Sequence, residues 1–288
     1  MIESLNAHTH ANDIRMRRLQ FTGSFICVEG RCDQRLFGKF VPEKKCQVVN
    51  CHTRKDALQT YRILLEDNFL GAIAIVDADL NRIFSRTPEY SGVFWTDKRD
   101  ADMMILAAIG VDAVVAELGS PLSVAVWASE NSAELLPHLL QQASVIGHLF
   151  WHSATNALGL RFSNLRPEEF MDEASLTIDR QRLVQHIKAR SQRQDLPDQG
   201  LIDAITNLES RNADVWEICR GHDIALLLGF ALRRVIGSCS HADSGIDSIE
   251  RCLRTAYRFD EFRQTQLYAN VIAWTHRDER FQFFRTTT

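Results

Sequence analysis

The stretch SFICVEGRCD, Ser24 to Asp33, decides the fold. Its first five residues are uncharged and mostly apolar, and they stop abruptly at Glu29-Gly30. A short run that is apolar on both faces reads as a strand covered on both faces. The same texture recurs in CQVVNC (Cys46–Cys51), in GAIAIV (Gly71–Val76), which ends at Asp77-Ala78-Asp79, and in VFWT (Val93–Thr96). Between these runs, Asp33–Phe40 and Arg54–Asn68 have helical spacing, with Leu58, Tyr61, Leu64 and Leu65 on one face of the second. Short apolar strands alternating with helices predict a parallel βαβαβ sheet with one further strand.

Beyond the sheet the pattern becomes helical. Helices are expected over Asp100–Glu117, over Ser132–Ser153 despite Pro137, and over Arg180–Arg193, Leu201–Ser210 and His222–Ile236. Two more are expected at 246–257 and 264–276, with polar breaks at 191–200 and 238–245. The first 20 residues are polar, carry His8, His10, Arg15, Arg17 and Arg18, and read as a leader segment. The expected organisation is therefore a leader (1–20), an α/β domain with a parallel sheet flanked by helices (21–130), and a mainly α-helical C-terminal domain (131–288). The apolar helices at 222–236 and 264–276 are candidates for a homodimer interface.

The counts bound the function. In 288 residues, 45% are hydrophobic and 24% charged, which excludes a disordered or collagen-like chain. A net charge of −4 argues against a protein that coats nucleic acid through bulk positive charge. No apolar stretch approaches the ~20 residues of a membrane span, and the N-terminus has no signal-peptide h-region, so a cytoplasmic protein is expected. Seven cysteines, with no CxxC pair, read as free thiols in a reducing compartment rather than as a zinc site.

The chemistry sits at strand ends, which border the ligand crevice in an open parallel sheet. Glu29 follows the first strand and Asp77 and Asp79 follow the third; in an extended segment, residues two apart point the same way. Asp33 lies one turn into the next helix. Thr96-Asp-Lys-Arg-Asp100-Ala-Asp102 follows the fourth strand and adds further carboxylates. Like charges gathered this closely raise one another's pKa, and a hard divalent cation, Mg2+ or Mn2+, relieves the repulsion. Each feature alone is commonplace: DxD after a strand often caps a helix, and an acidic helix start is favoured by the dipole. All three at strand ends of one α/β unit point to a metal site.

These residues resemble a known family. Phe25-Ile-Cys-Val-Glu29-Gly-Arg-Cys-Asp33, followed by Ile75-Val-Asp77-Ala-Asp79, is similar to the Toprim domain of topoisomerases, primases and overcoming-lysogenization-defect nucleases. Its hallmark is a glutamate after the first strand and a DxD after a later one. The 96–102 segment resembles an element of a Toprim-like branch found in bacterial phage-defence pairs, the AriB-like nuclease effectors of the phage anti-restriction-induced (PARIS) system. Gly221-His222-Asp223 also fits that branch. Arg99 stands where that branch tends to have histidine, and Asp102 where it has glutamate.

The resemblance implies that Glu29, Asp77 and Asp79 form the catalytic metal centre, with acid–base work credited to the glutamate. Asp33, Asp100 and Asp102 would be additional metal ligands or supporting groups. It further implies a toxic effector that cleaves tRNA, is held by an ABC-type ATPase partner until triggered, and is a homodimer when active.

The local charge pattern suits a phosphodiester substrate. Residues 31–62 hold eight basic and three acidic side chains, whereas 63–117 hold ten acidic and four basic. Arg31, Arg35, Lys39, Arg54, Lys55 and Arg99 are the candidate contacts to nucleic-acid phosphates. Charge does not separate RNA from DNA, so a DNA nuclease of the overcoming-lysogenization-defect type is the alternative enzyme. A haloacid-dehalogenase-like phosphatase also uses DxD, but Asn81 stands where it wants threonine or valine. A non-enzymatic subunit of an ATPase complex is the alternative outside catalysis; no Walker motif is present. His222 reads as part of a helix-capping arrangement sooner than as a base.

Overall fold

The structure is a computed structural model that describes residues 6–286. It divides into two units, one formed by the chain up to Ala101 together with the segment from Arg258, the other by Asp102–Tyr257. The first unit carries the sheet. Helix α1 (Ala7–Arg18) leads into β1 (Ser24–Val28), α2 (Arg31–Gly38), β2 (Cys46–Asn50), α3 (Arg54–Glu66), β3 (Ala72–Val76) and β4 (Val93–Trp95). All strands are parallel in the order β2-β1-β3-β4. The two central strands, β1 and β3, are buried at every residue, whereas β2 and β4 are half-buried edges. The expected α/β parallel sheet is therefore present.

Because β1 lies between β2 and β3, the chain leaves β1 to one side and then crosses to the other. Such a reversal opens a crevice at the carboxyl ends of the two strands on either side of it. The register sets Val28 beside Ile75, so Glu29 and Asp77 emerge from neighbouring strand ends at this crevice.

The expected leader is a packed helix. Ala7, Ala11 and Ile14, spaced i, i+4, i+7, are buried in the same core cluster as Phe25, Ala57 and Leu64. The Thr60 hydroxyl donates to the Ala7 carbonyl at 3.3 Å. Arg18 lies over the rings of Phe25, Phe69 and Phe281 and donates to the Leu70 carbonyl at 2.8 Å. A three-residue apolar stripe on a polar helix suffices for burial when the opposing surface is flat and apolar, and the mean polarity of the segment conceals it.

The second unit is helical. It takes in α4 (Ala101–Ile109) from Asp102 onward, then α5 (Asp112–Leu118), α6 (Pro121–Asn131), α7 (Leu135–Thr155), α8 (Arg180–Ser191), α9 (Asp198–Glu209), α10 (Val215–Ile218), α11 (Gly221–Arg234) and α12 (Ile246–Ala256). The single helix expected over 100–117 is two, broken at Gly110, whose φ of 65° an α-helix does not accept. Pro137 falls in the first turn of α7, where its missing N–H has no intrahelical partner to lose. The apolar face of α11 is already buried, with Ile224, Leu227, Leu228 and Leu232 at 0% exposure, so it offers no free dimer surface.

The expected boundary near residue 130 is displaced to 101, and the C-terminal segment belongs with the sheet rather than with the helices. Helices α13 (Phe259–Phe262) and α14 (Gln266–Thr275) and the following chain complete the first unit. Phe262 stacks on Phe40 at 4.6 Å between ring centroids and meets Phe284 edge-on at 4.7 Å. The Arg285 N–H donates to the Phe40 carbonyl at 2.9 Å. Among the described residues the cysteines are free; Cys27, Cys46, Cys51 and Cys219 are buried. No helix of the described residues is long and apolar enough to cross a membrane.

Candidate metal centre

Glu29 ends β1 and Asp77 ends β3. The Asp77 N–H donates to Glu29 Oε1 at 2.8 Å, so the two strand ends are joined through the glutamate. Asp77 Oδ1 accepts the Ala101 N–H at 3.0 Å, which ties the third strand's end to the first residue of α4. Asp33 Oδ2 accepts the Gly30 N–H at 2.9 Å, a capping arrangement at the start of α2. That bond turns Asp33 back toward the strand it follows.

Asp79 does not project alongside Asp77 as an extended DxD would require. Its φ of 50° is left-handed, a conformation aspartate tolerates better than most residues. The chain turns there, with the Asp79 N–H donating to the Arg99 carbonyl at 2.7 Å. The Asp79 side chain is 54% exposed and Glu29 only 21%. Arg54, at the start of α3, connects them: its Nη1 is 3.3 Å from Glu29 Oε1 and 3.0 Å from Asp79 Oδ2, and it also donates to the Asp77 carbonyl. Arg54 was expected to face phosphates; the structure sets it among the carboxylates because an ion pair at a partly buried position outweighs an exposed one.

The electrostatics follow from this crowding. Burial, with Asp79 and Asp33 nearby, pushes the Glu29 carboxyl up to about 7, against the opposing pull of the Asp77 N–H and Arg54. Asp77 is raised well above the ordinary carboxylate range, by burial first and then by Asp100, Glu29, Asp33 and Asp79. Burial is the larger cause of both shifts, and the like-charge repulsion expected from the sequence adds to it.

The structure thus brings Glu29, Asp33, Asp77, Asp79 and Asp100 into one electrostatic neighbourhood. The donor set is oxygen-only and its two central carboxyls hold protons unusually tightly, which is the chemistry that a hard divalent cation relieves. Among the described residues, no three acidic, histidine or cysteine side chains already converge on one metal position. Arg54 occupies the space between Glu29 and Asp79 instead.

Asp102 belongs to the second unit and faces Arg254, 3.9 Å away, which is also 3.6 Å from Glu250. That arginine lies more than 150 residues away in sequence, a pairing that no local pattern announces. Glu250 in turn bonds His222 at 3.3 Å and raises its pKa, and Asp223 is buried in a two-bond pair with Arg220 at 2.6 and 2.8 Å. Gly221-His222-Asp223 is accordingly tied into ion pairs rather than capping through Asp223.

Of the basic candidates, Arg31, Arg35, Lys39 and Lys55 are exposed. Arg31 and Lys55 stand at the first turns of α2 and α3, on the carboxyl side of β1 and β2. Arg99 does not fit its expected role, since at 1% exposure it is buried and its carbonyl holds the Asp79 turn. Two residues acquire roles that sequence alone did not assign. Thr96, buried, accepts the Ala78 N–H at 3.0 Å and so fixes the residue between the two aspartates. Asp97 accepts the N–H groups of Gln266 at 2.6 Å and Leu267 at 2.7 Å, capping α14. The only local signal for either was membership of the 96–102 run. No protein-family model matches the chain, and no curated protein matches it.

Proposed function

We propose that the chain is a Toprim-like, Mg2+- or Mn2+-dependent endonuclease, a toxic effector of anti-phage defence that hydrolyses RNA phosphodiesters. One observation carries this reading: Glu29 and Asp77 leave adjacent strand ends at the topological switch point, bonded to one another, with both carboxyls raised. Glu29, Asp77 and Asp79 would hold the metal, with Asp33 and Asp100 supporting them. A bound divalent cation supplies a water of lowered pKa and neutralises charge on the phosphoryl oxygens. Glu29 is the residue to which the resemblance assigns proton transfer. Arg31, Arg35, Lys39 and Lys55 are exposed cations suited to hold flanking phosphates. The tRNA substrate, the ABC-type ATPase partner that restrains the enzyme, and the homodimeric active form rest on the resemblance alone.

The test is RNA cleavage by purified protein with Mg2+ or Mn2+, compared with Glu29→Ala and Asp77→Ala. Loss of cleavage in both supports the assignment; equal cleavage by parent and variants removes it. A DNA substrate in the same assay distinguishes the DNA-nuclease alternative. The ion pairs of Arg54 with Glu29 and Asp79 favour a second reading, a non-enzymatic subunit whose acidic cluster is neutralised by its own arginine. Calorimetric titration with Mg2+ separates the two, since the second reading predicts no binding.

A further inference from the structure

A cavity of about 550 Å3 opens in the first unit where the edge strand β4 meets α14. Its walls include Phe94 and Trp95 of β4, Arg82 and Lys98 from the loops on either side, and Gln266 and Asn270 of α14. None of these side chains belongs to the acidic site, yet the cavity is coupled to that site through shared backbone. Arg82 lies three residues beyond Asp79 and donates to the Thr96 carbonyl. The Thr96 hydroxyl, in turn, holds the Ala78 N–H at 3.0 Å, between the two aspartates.

The lining has a definite chemistry. Phe94 and Trp95 project from opposite faces of β4; Phe94 meets Trp274 edge-on at 6.0 Å and Trp95 packs against the hydrophobic core, yet both stay partly exposed where they line the cavity. Gln266 Nε2 donates to Asn270 Oδ1 at 2.9 Å across one helical turn. That bond orients the pair and leaves Gln266 Oε1 to accept and Asn270 Nδ2 to donate, and both residues are exposed. An acceptor and a donor side by side match the edge of a nucleobase, as paired amide groups do in base recognition. The carboxylate of Asp97 is already spent on the α14 amides. The wall carries Arg82 and Lys98 against the one carboxylate of Asp97, a net positive lining that suits a phosphate-bearing ligand. Aromatic faces beside cations are the recurrent means of holding unpaired bases.

We propose that this cavity receives an unpaired nucleobase of the substrate strand, next to the phosphodiester held at the acidic site, and so selects single-stranded over duplex nucleic acid. A base inside a duplex has both faces stacked and its pairing edge occupied, and cannot enter. The proposal rests on the nuclease reading and deepens it by naming what is recognised beside the scissile bond.

The experiment measures binding, by fluorescence anisotropy, of a short labelled single-stranded oligoribonucleotide and of an abasic strand of equal length. It is run in an Asp77→Asn background, which is expected to stop turnover while keeping the size and shape of the side chain. Against that background, Trp95→Ala and the double change Gln266→Ala/Asn270→Ala are compared. The expected result is that the base-bearing strand binds better than the abasic one, and that Trp95→Ala weakens it at least about fivefold while leaving the abasic strand unchanged. The double change, on an exposed helix face where folding is not at stake, is expected to narrow the same difference. Equal binding of both strands by the unmodified cavity, or unchanged preference in the variants, overturns the cavity assignment while the nuclease reading stands. Failure of both strands to bind overturns both.

Discussion

Glu29 Oε1 accepts the backbone N–H of Asp77 at 2.8 Å, so the acid that closes β1 is fastened to the chain leaving β3. Any change at Glu29 therefore alters both a carboxylate and the course of the DxD turn. Glu29→Gln keeps an acceptor for that N–H and is expected to fold like the parent. It should nevertheless lose metal-dependent RNA cleavage by at least about a hundredfold, the scale of a lost acid–base group. Circular dichroism and a cleavage time course on the same preparation check this pair of outcomes.

Stability without metal should fall as pH rises. Glu29 titrates near 7 in the fold against 4.5 as the ordinary value, so the folded state holds the proton more tightly than the unfolded one. Its contribution is complete below about pH 4.5 and is lost as pH climbs through 7, by up to about 3 kcal/mol. Urea denaturation in EDTA between pH 5 and pH 8 measures it. Glu29→Gln should flatten the slope, and saturating Mg2+ should reverse its direction if the cluster binds the ion.

Arg54 competes with a cation for Glu29 and Asp79. Arg54→Ala is expected to raise the affinity for Mg2+ several-fold in calorimetry and to push the Glu29 carboxyl higher still in the metal-free protein. If Arg54 instead served only phosphates, Mg2+ affinity would not change and RNA affinity alone would drop.

Exposure separates the arginines. Arg31→Ala and Arg35→Ala should each weaken RNA binding at every sequence and reduce the salt dependence of log K by about one. Arg99→Ala should leave that slope alone and lower the melting temperature, because the side chain is buried.

Asp97 is a cap rather than a ligand. Asp97→Ala removes acceptors for the Gln266 and Leu267 amides and should cost about 1–2 kcal/mol of stability. Mg2+ affinity should be unchanged in the same variant.

The sequence by itself determined the strands of the sheet, the helices between them and the placement of acids at strand ends. Apolar runs such as Ser24–Val28 and Ala72–Val76, and the spacing of Leu58, Tyr61 and Leu64, are local patterns, and a chain reads them within one or two turns of itself. Glu29 and Asp77 were legible for the same reason: a charge that interrupts a buried strand must mark its end. What only the tertiary structure decided depends on residues far apart. Strand order set β3 beside β1 and so joined Glu29 to Asp77. Long-range pairing drew Arg54 in among the acids, gave Asp102 to Arg254, and set Asp97 against α14. The polar helix α1 was buried by surfaces that its own neighbours in sequence do not supply. Contacts across more than a hundred residues follow from packing and charge compensation in three dimensions, which periodicity along the chain does not record.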